Sequence, residues 1–392
     1  MKAMKIVYLY HSIAIKGGLE RVLSDKMNYL ADNTNFEIYF ITSDQGNQEF
    51  SYPLSPKIHH TDLGGIKYFS IYKKKYPLRL WLIHKFEKDY RKRLTNRLKE
   101  IKPDIIISNT TLNIALIANL KINAKKILES HLAKDAIIKA GKNHKNINII
   151  EYMLKSIFDK YTYRIINKYD QMVVLTEEDN KAWLNICNTT IIANPLTYYP
   201  KIFIKNKKNN TIICAARLYQ EKGIDLLIKA WSTIHNKYPS WHIDIYGNGP
   251  LYKELSIMSE EYGVDNSIHF FPPTNNIYDK YKEADFMVLS SRYEGFGLVI
   301  AEAMSCGTPC VAFNCPSGPN EIITDGFDGL IAQNSDINDL AEKMEWMITH
   351  EHERKEMGIK ARESAKRYTK EHIMQQWIEL FNQITILQPK TK

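Results

Sequence analysis

No apolar run in this 392-residue chain approaches the roughly 20 residues needed to cross a bilayer. Its opening, with only Ile6 to Tyr10 unbroken and apolar, reads as a first strand and not as a signal peptide, so a cytoplasmic protein is expected. Cysteine is scarce: five residues, an odd number, suit reduced thiols better than a disulfide framework. Cys306, Cys310 and Cys315 cluster without zinc-site spacing and without a neighbouring histidine, so buried packing is their expected role and no metal site is assigned. Both glycine-rich loops fall short of the dinucleotide fingerprint. Gly17-Gly18 is followed by no third glycine at the required spacing, and Gly247-Asn248-Gly249 has Tyr252 where the third small residue belongs.

What is present is alternation of short apolar runs with amphipathic segments. The pattern predicts an α/β protein with two Rossmann-like, doubly wound domains facing a cleft. Strands are expected at 5–10, 36–42, 104–108, 126–129, 171–176 and 190–193, then at 211–215, 242–246, 267–271, 286–289 and 309–313. Lys205, Lys207, Lys208, Asn209 and Asn210 have no core pattern and mark a linker. The expected organisation is therefore a first domain at 1–197, a linker at 198–210, a second domain at 211–367 and a terminal helix at 368–392.

The most informative stretch runs from Ser291 to Met304. An apolar strand, a loop with Gly295 and Gly297, and an alanine- and methionine-rich helical segment follow one another, with Glu294 in the loop and Glu302 in the helix. The amides of Gly297, Leu298 and Val299 would open the helix and attract an anion between the two carboxylates. A nucleoside diphosphate sugar fits that layout, with sugar hydroxyls at Glu294, diphosphate at the amides and ribose at Glu302. Taken alone, the same glutamates also fit a solvated loop and an exposed helix, or the acid and nucleophile of a glycoside hydrolase.

Arg217 and Lys222, five apart on the loop after the expected strand 211–215, supply cations for the diphosphate. No Asp-x-Asp occurs anywhere, which points to these cations and the helix amides, and not a divalent metal, as the holders of the pyrophosphate. The Gly17-Gly18 loop, followed by Leu19-Glu20-Arg21, suits a turn whose amides face phosphate or sugar.

Together these motifs resemble the retaining glycosyltransferases of family 4, two-domain enzymes of the GT-B fold. The resemblance rests on Gly17-Gly18-Leu19-Glu20-Arg21, on Arg217 to Lys222-Gly223, on Glu294 and Glu302 with Ala303-Met304, on Gly307-Thr308-Pro309, and on Asp325-Gly326 to Gly329-Leu330. It implies that Arg217 and Lys222 hold the diphosphate, Glu302 the ribose and Glu294 the donor sugar. It implies further that His131 faces that sugar from the first domain, and that the Gly17-Gly18 loop serves the phosphate and acceptor region. The implied chemistry is front-face attack by an acceptor hydroxyl, with no resident cofactor. The segment Asn314 to Glu321 is similar to members that move N-acetylhexosamines onto lipid-linked bacterial glycans, and the final helix is implied to cross back onto the first domain. A UDP-linked donor is favoured by the same analogy. Sugar-nucleotide epimerases and phosphorylases share related architectures and remain alternatives.

Net charge is +9, and its distribution is uneven. Twelve Lys or Arg fall between Lys67 and Lys99, against Glu87 and Asp89. Ile83, Phe86, Tyr90, Leu94 and Leu98 recur there at helical spacing, so one face is expected to pack and the other to be basic. With Trp81, Leu82 and the aromatics at 68, 69, 72 and 76 before it, this region is expected to dock on an anionic inner-membrane surface. The aromatics do not alternate with the cations as a base-stacking platform needs, so no nucleic-acid partner is expected.

Overall fold

The computed structural model describes residues 3–64, 78–110, 114–131, 160–201 and 209–386, with the backbone alone at 78–84 and 86. The chain divides into two compact units: Met1–Thr197 together with Met374–Lys392, and Tyr198–Ile373. Each is built on a sheet whose described strands pair in parallel, and most of them are short apolar runs, as sheets covered by helices on both faces require.

In the first unit the described strands are β1 (Lys5–Tyr10), β2 (Glu37–Thr42), β3 (His59–Asp62), β4 (Ile105–Asn109), β5 (Lys125–Glu129), β6 (Gln171–Val174) and β7 (Thr189–Ile191), in the order β3-β2-β1-β4-β5-β6-β7. β3 was not expected. Its sequence, His-His-Thr-Asp, has no apolar run, and polar bonds help to dock it: Thr42 Oγ1 donates to Asp62 Oδ1 at 2.7 Å and lies 2.9 Å from His60 Nε2. The helix Leu78–Ile101 buries Tyr90, Leu94 and Leu98 at the expected spacing, while Lys85, Lys88, Arg91, Lys92, Arg93 and Lys99 are exposed. The side chains of Trp81, Leu82, Ile83 and Phe86, and all of 65–77, lie outside the description.

The second unit contains β8 (Thr211–Ala215), β9 (His242–Tyr246), β10 (Ile268–Phe271), β11 (Phe286–Leu289), β12 (Cys310–Phe313) and β13 (Gly329–Ala332), ordered β10-β9-β8-β11-β12-β13. Trp231, Trp241, Phe286 and Phe313 fill its core. The strand order reverses between β8 and β11. The loops leaving their carboxyl ends therefore lie side by side, the position at which such sheets bind ligands.

The first unit ends at Thr197, as expected, but the described linker residues and the second boundary fall differently. Tyr198 to Lys201 and residues 209–210 go with the second unit, where Tyr199 Oη donates to the Arg362 carbonyl at 2.9 Å and the Arg362 guanidinium lies 4.4 Å from the Tyr199 ring. Residues 202–208 are outside the description. Residues 368–373 also stay with the second unit, with Tyr368 Oη bonded to the Glu321 carbonyl at 3.0 Å. The last helix, Lys370–Ile386, then joins the first unit: Trp377 and Phe381 are buried, Phe381 meets Phe36 edge-on at 6.4 Å, and Lys26 Nζ sits 3.6 Å above the Trp377 ring.

Candidate active site

In the second unit the loop after β8 ends in a short 3-10 turn, Gln220–Lys222, and then in Gly223 at φ +61°. A β-carbon at Gly223 would stand 2.0 Å from the Ser290 carbonyl oxygen, so glycine is what lets this loop close onto the residue that follows β11. That closure sets Lys222 Nζ 2.6 Å from Glu294 Oε1, and Ser291 Oγ donates to the same oxygen at 2.6 Å. Glu294 is 8% exposed, and its Oε2 takes no bond from the described residues.

Next to this pair, Arg292 fixes the loop from below. Its backbone amide donates to the Glu221 carbonyl at 2.8 Å, and its guanidinium forks onto Asp225 at 2.8 and 2.7 Å. Burial pushes the Asp225 carboxyl up, but the Arg292 bonds and charge outweigh it and hold the group below its ordinary value. Arg217 is two-thirds exposed, 3.4 Å from Glu221 and with its guanidinium 5.2 Å from the Tyr219 ring. Its loop is braced by the turn at 247–249, since Leu218 donates its amide to the Asn248 carbonyl at 2.8 Å.

The helix Leu298–Ser305 begins at Gly297, φ +85°, with no side chain capping it. Its mouth therefore presents amides to an anion. Glu302 lies further into that helix and is 2% exposed, with Tyr281 Oη 3.4 Å from Oε2. Burial, and not the solvated helix face that two isolated glutamates would also fit, is what the structure gives this residue.

The first unit has a second cluster. Glu129 at the end of β5 accepts from Lys26 Nζ at 2.6 Å on one oxygen and lies 3.0 Å from His131 Nε2 with the other. Burial favours the neutral acid, yet Lys26 and then His131 prevail and hold Glu129 down at about 2. Lys26, Glu129, His131, Asn194 and Trp377 line a common recess. At the Gly17-Gly18 turn, which starts the helix Gly18–Asn33, the Glu20 carboxylate packs on Gly17 and accepts from Tyr10 Oη at 2.8 Å. This helix mouth already has an anionic side chain beside it, whereas among the described residues no side chain caps the one at Gly297.

Comparison with known proteins settles the class. Residues 198–364 match the family described as glycosyl transferases group 1. An uncharacterized glycosyltransferase of Haemophilus influenzae is 28% identical over 95% of this chain and 98% of its own. A Campylobacter jejuni α-1,4-N-acetyl-D-galactosaminyltransferase, named for a GalNAc- and diNAcBac-bearing undecaprenol diphosphate substrate, is 26% identical over 97% and 99%. A variant of S. aureus TarM, solved with fondaparinux, α-GlcNAc-glycerol and UDP, superposes with a TM-score of 0.73 at 19% identity, over 97% of this chain and 100% of that one. The chain is a GT-B glycosyltransferase.

Within this glycosyltransferase, Lys222, Glu294 and the helix mouth of Gly297, Leu298 and Val299 come together on adjoining loops, whereas Arg217 stands out in solvent on the first of them. Ser291, Arg292 and Asp225 belong to the same assembly and were not singled out from sequence. Arg292 lies within the stretch read as the motif, but its partner Asp225 is 67 residues away. Lys26 was likewise missed, 103 residues from Glu129. All five cysteines of the glycosyltransferase are free and buried, and burial pushes the Cys214 thiol up to about 12. Among the described residues no helix is long and apolar enough to cross a membrane.

Proposed function

We propose that this glycosyltransferase moves a sugar from a UDP-linked donor to a hydroxyl of a glycan acceptor, with retention of anomeric configuration and without a metal. The observation that carries the reading is the Lys222–Glu294 pair beside an uncapped helix mouth. Lysine has three donors, of which Glu294 takes one, so two remain for a phosphate oxygen. Glu294 keeps Oε2 for a sugar hydroxyl, and Glu302 serves the ribose.

Breaking the sugar–phosphate bond places negative charge on the departing diphosphate. Lys222, Arg217 and the amides at Gly297, Leu298 and Val299 stabilise that charge as it develops. The acceptor oxygen forms its bond to the anomeric carbon on the face the diphosphate leaves, and its proton passes to the leaving phosphate oxygen. Glu294 orients the sugar. Because Glu20 already occupies the Gly17 turn, that turn suits acceptor hydroxyls better than phosphate.

The names of the relatives support an N-acetylhexosamine as the sugar, a lipid-linked acceptor and a role in bacterial surface glycan synthesis. The exposed cations of the helix Leu78–Ile101 support work at an anionic membrane face, where each contributes about 1 kcal/mol. Incubation with UDP-sugars and a prenyl-diphosphate glycan, with and without chelator, tests the proposal through product linkage and UDP release. A β-linked product, or turnover abolished by chelator and restored by Mg²⁺, rejects the retaining or the metal-free part. Absence of sedimentation with anionic vesicles at low salt rejects the membrane part.

A further inference from the structure

A group of ligating side chains lies on the second sheet, outside the donor loops. β9 alternates: Ile243 and Ile245 are buried in the core, while His242, Asp244 and Tyr246 face the other side. Parallel register pairs His269 of β10 with Asp244, and Thr211 of β8 with His242. The side chains meet accordingly. His269 Nδ1 is 3.1 Å and His242 Nε2 3.8 Å from Asp244 Oδ1, and Thr211 Oγ1 is 3.1 Å from His242 Nε2. One ligand atom from each of His242, Asp244 and His269 lies within 4.8 Å of the other two. Ligands about 2.0 to 2.1 Å from a tetrahedral ion stand roughly 3.3 Å apart, a spacing the two measured edges bracket.

We propose that His242, Asp244 and His269 bind a divalent transition-metal ion of the zinc class, with water completing the coordination. Two imidazoles and one carboxylate suit zinc, nickel or copper and not the oxygen-seeking magnesium or calcium. The side chains are 32%, 17% and 43% exposed, so the ion enters from solvent without unfolding. Its effect follows from position. β10 is the edge of the sheet, and the ion ties that edge to β9. β9 runs on into the turn whose Asn248 carbonyl holds Leu218, next to Arg217. The ion therefore stiffens the strand that braces the donor loop and takes no part in sugar transfer, so the site stands or falls separately from the proposed reaction.

The test is titration of the chelator-stripped full chain with ZnCl₂ against a chromophoric chelator, followed by a Co²⁺ spectrum. One ion per chain is expected, with a dissociation constant on the order of 1 µM or tighter, and His269→Ala and Asp244→Asn each weaken it at least about tenfold. Co²⁺ should give the intense visible bands of a four-coordinate nitrogen and oxygen site. No stoichiometric uptake overturns the proposal, as does undiminished uptake by the His242→Ala/His269→Ala double variant. If circular dichroism shows that the variants do not fold, the intact chain decides: a sulfur-to-cobalt charge-transfer band, or no four-coordinate spectrum, rejects the site.

Discussion

Lys222 Nζ and Glu294 Oε1 are 2.6 Å apart although 72 residues separate them in the chain. They meet because β8 and β11 are hydrogen-bonded neighbours and because Gly223 allows the first loop to press on the Ser290 carbonyl. The pair is largely buried, with side chains 17% and 9% exposed, so neither charge is easily spared. Removing one member leaves the other without its counter-charge in a poorly hydrated place.

Lys222→Ala should therefore lower kcat by about 10²- to 10³-fold, the range found when one donor to developing charge is lost. Glu294→Gln keeps the shape but weakens the bond to Lys222, and is expected to lower kcat with a smaller change in KM. Steady-state kinetics with a saturating acceptor check both. Unchanged kcat in Lys222→Ala would remove this residue from the reaction.

Gly223→Ala adds a β-carbon to a residue at φ +61°, 2.0 Å from a backbone oxygen. The loop must move away, so the cost should exceed the roughly 1 kcal/mol of a left-handed residue alone. Denaturant unfolding should show a loss of about 1–3 kcal/mol, and donor affinity should fall because Lys222 leaves Glu294. Equal stability and equal donor affinity would mean that the loop does not close as described.

In the first unit, Lys26→Met strands a buried carboxylate and should cost about 3–5 kcal/mol, while the double change Lys26→Met/Glu129→Leu should recover most of it. The recovery separates loss of a partner from loss of packing against Trp377. A double variant no more stable than the single one contradicts the pairing.

Acid should expose the same group. Glu129 is held at about 2, against 4.5 for a free glutamate, so its folded pKa lies below its unfolded one. The stabilisation is complete above about pH 4.5 and is lost as pH falls toward 2, amounting to about 3 kcal/mol. Between those limits the wild-type chain should lose stability more steeply than Glu129→Gln. Parallel curves would show that Glu129 is not held ionised.

Strands with apolar runs were legible in the sequence, and β1, β8, β9 and β11 fall at their expected residues. β3 was not legible, because pairing with β2 and the Thr42–Asp62 bond hold a polar tetrapeptide in place. β13 was missed as well. Its four residues overlap the Gly329-Leu330 motif, and its place at the sheet edge beside β12 is a matter of register. At the site, glutamates eight apart announce a loop and a helix. That Glu294 meets Lys222, that Arg292 meets Asp225 and that Glu302 is buried under Tyr281 depend on strand order and helix packing, which spacing along the chain does not encode. The terminal helix was legible from its apolar face, but the point where it changes unit was not: 368–373 remain with the second unit through Tyr368.

The most direct test of a nucleotide-sugar site on β8, β11 and the helix Leu298–Ser305 is the thermal midpoint of the chain with UDP-, GDP- and ADP-sugars. At 100 times its dissociation constant a ligand adds about 2.7 kcal/mol of stability. A UDP-sugar should raise Tm in the wild-type chain, and the rise should shrink sharply in Arg217→Ala/Lys222→Ala. No rise with any of the three, or an equal rise in the double variant, would contradict the account.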